Sequence, residues 1–282
     1  MRLCLEQLEE FDRPATGFAR TVSFVKHVPT QTKMAKRAVF ISLKQHLVNK
    51  VARQLQFLQD CRSNHTTSCY GVFASGSQVQ ICTEYMDKGS FAAISKKHRP
   101  LDVGVVGKVA LAVLHGLAYL YDEHRIIHRN IKPSNILLNS QGEIKICDFA
   151  IHDILEEHIP APITLDDFSI YQSPERIQNI PFTPTADTWS LGITLIELVQ
   201  GRHPYEELEL SVVELLHHIV NEPAPRIRFD GKPSALCDDF VYACLVKDAR
   251  IRPAPKAMLK HGWIAKCKAD ASTSIEAWAV NV

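Results

Sequence analysis

Residues 128–150 concentrate the side chains best suited to chemistry. They read His128-Arg129-Asn130-Ile131-Lys132-Pro133-Ser134-Asn135, then the apolar Ile136-Leu137-Leu138, the polar Asn139-Ser140-Gln141-Gly142, Glu143–Cys147 and finally Asp148-Phe149-Ala150. Carboxylate and amide oxygens of this kind are hard ligands, the sort that oxygen-loving cations take. Asn130, being an amide, is essentially non-basic near pH 7 and is no proton acceptor. A plain structural alternative has Asn135 capping a turn and Asp148 paired with a lysine. His124 and His128 stand four apart, a spacing seen in zinc helices, but neither a glutamate base nor a third ligand accompanies them.

The elements that must hold this stretch alternate in character. Thr21–His27 and Met34–Ser42 alternate as half-buried strands around the turn at residues 28–32. Val48, Val51, Leu55 and Leu58 recur at helical steps and predict one apolar stripe. Val79–Tyr85 reads as a strand after the turn signal Ser75-Gly76-Ser77. Beyond Asp87-Lys88-Gly89-Ser90 the pattern turns helical. Val106, Val109, Ala110, Val113, Leu114, Leu117 and Leu120 line a long helix, and Ile136–Leu138 with Glu143–Cys147 form a hairpin. Ala186–Gln200 is apolar nearly all round, as in a helix at a domain centre, and shorter amphipathic helices fall near Val212–Val220 and Asp238–Val246. The result is a small β-rich lobe joined near Asp87–Gly89 to a larger helical one.

Composition sets bounds on the rest. In 282 residues, 46% hydrophobic and 22% charged with a net charge of +1, no strong field recruits nucleic acid or an anionic membrane. The eight cysteines form no C-x-x-C pair and read as reduced, mostly buried thiols of a cytosolic or nuclear protein. Lys108 and His115 interrupt the most apolar helix, Val103–Tyr121, which argues against a membrane span. Met1–Glu10 lacks the features of a signal peptide.

From about residue 14 to 265 the chain resembles a protein kinase domain, and more closely a mitogen-activated protein kinase kinase of the fungal type. The resemblance is carried by residues 128–135, by Ser173-Pro174-Glu175-Arg176, by Asp187-Thr188-Trp189-Ser190-Leu191-Gly192 and by Lys247-Asp248-Ala249-Arg250-Ile251-Arg252-Pro253. The hinge-like run Ile81–Ser90 and the loop Asn139–Lys145 add to it. The resemblance implies an α+β, bilobal protein kinase fold. Residues 1–13 are expected to be an N-terminal extension and 14–268 the kinase-like domain, with a small lobe at 14–86, a hinge at 84–90 and a large lobe at 91–268. Residues 269–282 are expected to be a tail.

Carried over residue by residue, the resemblance makes Asn135 and Asp148 the two Mg2+ ligands and Lys132 the residue that steadies the transferred phosphate. Asn130 stands where the family has its catalytic aspartate, a general base worth about 10²–10⁴ in rate. Ala35-Lys36-Arg37 matches Ala-x-Lys, so Arg37 takes the place of the phosphate-clamping lysine, and its bulkier fork is no neutral replacement. Strand alternation sends the neighbouring Lys36 to the other face unless a bulge intervenes. Gln54 takes the place of the glutamate that pairs with that lysine, leaving an Arg37–Gln54 hydrogen bond as the expected substitute. Pro14–Arg20 aligns with the glycine-rich loop, of which Gly17 alone remains. Thr83 gates the adenine pocket, and Glu84, Met86 and Leu137 complete its lining. Ala150 replaces a glycine, and the paired phosphosites are missing between Asp148 and Ser173, where Thr164 and Ser169 are the remaining hydroxyls. Asp167-Phe168 replaces a Gly-Thr. Glu156, Glu157, Asp166 and Asp167 read as a solvated acidic loop rather than a phosphate mimic near Arg129. His128 and Phe149 are expected to pack in the internal spine, Glu175 and Arg252 to form a buried ion pair, and Asp187 to brace the catalytic-loop backbone.

The reading that follows is a pseudokinase that binds or scaffolds partners in a MAP kinase cascade, a MAP kinase or an upstream kinase, with ATP and Mg2+ doubtful. An ATP-dependent dual-specificity kinase of reduced activity is the alternative, and a decayed or partial gene copy is the third.

Overall fold

The computed structural model describes residues 3–12, 22–40, 45–149, 169–228 and 234–282, without the side chains of residues 40, 45–47, 54 and 169. Strands β1 (Leu8–Asp12), β2 (Val22–His27), β3 (Thr32–Phe40), β4 (Cys69–Ser75) and β5 (Gln78–Glu84) form one antiparallel sheet in the order β1-β2-β3-β5-β4. The alternation read in β2 is realised, since Ser23, Val25 and His27 point into the lobe. Leu8–Asp12 pairs with β2 from Leu8 opposite His27 onward, so the sheet takes in residues expected to lie outside the lobe as an extension.

Helix α1 (Gln45–Gln54) and a 3-10 turn at Leu55–Gln59 place Val48, Val51, Leu55 and Leu58 in the core, as their spacing predicts. Cys69–Ser75 escaped the sequence reading. Its register slips between Cys69 and Gly71 and both of its faces are partly covered, which blurs the period-two signal.

The large lobe begins with β6 (Gly89–Ser90) and helix α2 (Phe91–Lys97) and is built around two buried helices, α3 (Val103–His124) and α5 (Thr185–Gln200). Asp102 caps α3 by accepting from the Gly104 N–H at 2.7 Å, and Arg125 ends it in the left-handed conformation. By length and composition α3 is apolar enough to cross a membrane, yet most of its apolar residues are packed inside the lobe. Sixteen residues of α5 run through the centre with Trp189, Leu191, Ile193, Leu195 and Ile196 fully enclosed. Between them lie the hairpin β7 (Ile136–Leu138) and β8 (Ile144–Ile146) and helix α4 (Pro174–Ile177). Helices α6 (Val212–Asn221), α7 (Ala235–Cys244), α8 (Pro255–Met258) and α9 (Gly262–Ala269) complete the lobe. Ser211 and Glu214 form a reciprocal capping box on α6.

The expected tail is structured. Helix α10 (Ile275–Ala279) docks onto the large lobe, with Ala279 fully buried and Trp278 stacked on Phe91 at 6.0 Å between ring centroids. Lys88 in the hinge reaches the Val282 carbonyl at 3.0 Å. Gly142, at φ +78°, lies so close to Glu276 that a Cβ would stand 2.5 Å from its backbone nitrogen.

Candidate functional site

The site lies where β3, the segment after α3 and the end of β8 meet. Its floor is residues 128–135. Asp187, at the start of α5, accepts hydrogen bonds from the backbone N–H groups of His128 at 2.8 Å and Arg129 at 2.7 Å. Burial pushes the Asp187 carboxyl up to about 6, against the lowering effect of those two N–H groups. This brace holds Arg129 in the left-handed region at φ +67°, a conformation that costs a non-glycine residue about 1–2 kcal/mol. The Arg129 guanidinium lies over Phe182 at 4.8 Å, with Arg176 over the same ring at 5.2 Å. Arg176 also donates to the Arg129 carbonyl. Sequence reasoning missed this arginine–phenylalanine–arginine stack, because nothing in the spacing of residues 129, 176 and 182 announces it.

Asn130 is buried, and its N–H donates to His128 Nδ1 at 3.2 Å. Its carbonyl accepts from Asn135 Nδ2 at 2.8 Å. Pro133–Asn135 forms one 3-10 turn, closed by the Asn135 N–H on the Lys132 carbonyl at 2.9 Å. The Asn135 carbonyl in turn accepts from Cys147 N–H at 3.0 Å, which ties the floor to the residue before Asp148. Asp148 also sits in the left-handed region, at φ +64°. His128 and Phe149 are buried side by side with centroids 6.3 Å apart, as the spine reading expects. Burial, reinforced by the adjacent Asp148, holds the Cys147 thiol well above its ordinary value and so protonated.

The roof is β3. Its registers against β2 and β5 run unbroken through Val22 opposite Arg37 and Arg37 opposite Ile81, so Lys36 and Arg37 point to opposite faces. Arg37 is the one that enters the cleft, where it forms an ion pair with the Asp148 carboxylate. The Asp148 charge raises the Arg37 pKa against the cost of burial. The expected Arg37–Gln54 hydrogen bond falls on a side chain outside the described residues; among the described residues Arg37 meets Asp148.

Thr83 sits beside Ala35 in the β3–β5 register, with its hydroxyl 3.5 Å from the Ala35 carbonyl. Met86 is buried at the hinge, and Leu137 is half-buried on β7 opposite Lys145. Glu84 turns its carboxylate to Lys145 Nζ at 2.7 Å and accepts from the Ser68 N–H at 3.2 Å. Burial opposes a charge on Lys145, but pairing with Glu84 and with Glu143 at 3.3 Å raises its pKa overall. Gly17, the other residues aligned with the glycine-rich loop, Ala150 and the segment 151–168 lie outside the described residues.

Deeper in the large lobe, Arg252 makes a bidentate pair with Glu175 at 2.7 and 3.0 Å, as expected. Its remaining donors reach the carbonyls of Val246, Thr185 and Lys247. Burial alone would raise the Glu175 pKa; the two hydrogen bonds and charge of Arg252 lower it instead.

The comparisons with known proteins agree with this geometry. A family model described as a protein kinase domain matches residues 16–264. The dual specificity protein kinase FUZ7 of Mycosarcoma maydis is 36% identical over 329 residues, covering 97% of this chain and 75% of the relative. The mitogen-activated protein kinase kinase MST7 of Pyricularia oryzae is 36% identical over 285 residues, covering 97% and 68%. The dual specificity mitogen-activated protein kinase kinase dSOR1 of Drosophila melanogaster is 34% identical over 297 residues, covering 97% and 74%. The chain belongs to the protein kinase superfamily and, within it, to the mitogen-activated protein kinase kinase family.

A protein kinase domain ordinarily takes ATP with Mg2+. Asn135 and Asp148 are the residues that the resemblance would set on the metal. Asp148 is paired with Arg37 in this structure, and Asn130 stands where the resemblance expects the base.

Proposed function

We propose that this protein is a pseudokinase of the mitogen-activated protein kinase kinase family. It holds a partner in a MAP kinase cascade, a MAP kinase or an upstream kinase, with little or no phosphoryl transfer, and does so in the cytoplasm with access to the nucleus. The Arg37–Asp148 ion pair carries this reading. A metal that is to bridge phosphates has to displace the fork of Arg37 from the only carboxylate of the expected ligand pair. Asn130 adds a second, independent loss, because it takes no proton from an attacking hydroxyl. The packed large lobe, with its Glu175–Arg252 pair and its braced loop, supports a folded docking platform. The names of the relatives support the cascade.

The bracing of the loop by Asp187 and the presence of Lys132 favour a second reading, a kinase of reduced activity. One assay separates the two. The purified chain and its Asn130→Asp, Arg37→Lys, Gln54→Glu triple variant are incubated with Mg2+, labelled ATP and an inactive MAP kinase. We expect no measurable transfer by the unmodified chain. The variant should gain at least the factor of about 10²–10⁴ that a general base supplies. Robust transfer by the unmodified chain overturns the pseudokinase reading.

A further inference from the structure

The large lobe carries a second polar cavity, built by the chain on leaving α5 and by the segment 225–228. Gly201 ends α5 in the left-handed conformation at φ +72°, and the chain then runs through Arg202-His203-Pro204. A cavity of about 60 Å³ opens there, walled by Arg202, His203, Glu207, Arg226, Arg228 and Gln200. Two guanidinium groups flank one carboxylate: Arg202 pairs with Glu207, and Arg228 stands 3.5 Å from the same side chain. Arg226 is drawn aside by Asp238. These pairs are about half-exposed or more, the class of ion pair worth about 0–1 kcal/mol, so a stronger anion can displace Glu207.

His203 supplies an independent sign. Its ring is wedged between Tyr171 and Tyr205, at 5.1 and 5.6 Å. Burial pushes its pKa down to about 4, so the imidazole is neutral. Nδ1 accepts the Tyr205 N–H at 3.4 Å, which leaves the proton on Nε2. That Nε2 is buried and has no hydrogen-bond partner among the described residues. A buried donor left without an acceptor costs about 1–3 kcal/mol, and the residue that carries it lines the cavity. A second cavity of about 420 Å³ shares Gln200, Arg202 and Glu207 and continues past Arg99 and Pro100.

We propose that this cavity is a binding site for a phosphomonoester dianion, presented as a phosphorylated side chain on a peptide segment of a protein partner. Planar guanidinium forks match a phosphate bidentately, and the imidazole N–H adds a neutral donor. The first cavity has the size of a single tetrahedral oxyanion rather than of a nucleotide. The second offers room for the residues that flank it. The site stands apart from the nucleotide cleft and does not depend on whether the chain transfers phosphate.

The test is a titration of the full chain, with ¹⁵N-labelled histidine and arginine side chains, against three probes: inorganic phosphate, an acetylated Ala-phosphoserine-Ala amide and its unphosphorylated form. We expect saturable movement of the His203 Nε2 and Arg202 Nε signals with the phosphopeptide and none with the unphosphorylated peptide. Arg202→Ala combined with Arg228→Ala should weaken binding about tenfold or more, the loss expected for charge-assisted hydrogen bonds. Glu207→Gln, which removes the competing carboxylate, should tighten it several-fold, the opposite of what a merely structural ion pair predicts. Binding of inorganic phosphate but not of the phosphopeptide overturns the peptide assignment. Absence of saturable shifts with every probe, or weaker binding in Glu207→Gln, overturns the site.

Discussion

Replacing Arg37 by alanine should raise the affinity of the cleft for divalent metal. Arg37 and Asp148 are 28% and 26% exposed, so their ion pair is partly desolvated and lies above the surface class. A hydrogen bond to a charged group is worth about 1.5–3 kcal/mol, and partial solvent screening brings this one to about 1–2 kcal/mol. Metal binding at Asp148 in the unmodified chain has to overcome that amount. Removing the guanidinium should therefore raise apparent Mg2+ affinity about 5- to 30-fold, at 1.4 kcal/mol per factor of ten. Thermal unfolding with and without 10 mM Mg2+ and ATP reads this directly, because a ligand held only by the folded state stabilises it by an amount that grows with the logarithm of its affinity. For a domain of this size 1–2 kcal/mol corresponds to about 2–8 °C of additional ligand-dependent shift. The comparison is made on the shift and not on the absolute melting temperature, since Arg37→Ala also removes the pair from the unliganded fold. Asp148→Asn in the same background should erase the gain. An equal metal-dependent shift in the unmodified chain and in Arg37→Ala would refute the idea that the guanidinium blocks the metal.

Two further predictions concern the framework beneath the site. Arg252→Ala should lower the unfolding free energy by about 3–5 kcal/mol in urea titrations, because it strands the Glu175 carboxylate, only 5% exposed, in the interior. Arg252→Met combined with Glu175→Gln should cost clearly less than the sum of the two single changes, and simple additivity would contradict the pairing. Asp187 should impose a pH slope on stability. Its folded-state value of about 6 lies above the ordinary 3.8, so the folded chain binds more protons between the two and its stability falls as pH rises through that window. At about 1.4 kcal/mol per pH unit this amounts to about 3 kcal/mol between pH 4 and 6. Subtracting the profile of Asp187→Asn isolates it, and parallel profiles would rule the buried carboxyl out as its source.

The long helices were legible because each repeats its apolar signal over several turns. Val106 to Leu120 and Ala186 to Gln200 stand in the core where their spacing put them. The short docked helix Ile275–Ala279 was not legible, since five residues are too few for a period and it forms against Phe91 and the loop at Gly142. For the site, resemblance pointed to Asn130, Asp148, Asp187 and the Glu175–Arg252 pair and put Arg37 in the lysine position, while alternation sent Lys36 to the other face, as the unbroken register has it. The ion pair of Arg37 with Asp148, more than a hundred residues away in the chain, was not foreseen. The cavity at His203 gave no sign, because its arginines come from two segments with no shared spacing.

Residue types and local order thus decide the lobes, and they put Asn130 and Arg37 where the family resemblance expects an aspartate and a lysine. These depend on side-chain chemistry and on periods that a short stretch of chain carries within itself. Which carboxylate Arg37 neutralises, and which arginines close around Glu207, depends on distances of a few ångströms between segments far apart in sequence. Coulomb attraction falls off with distance and with solvent, so those pairings exist only once the packed core has brought the groups together and excluded water between them.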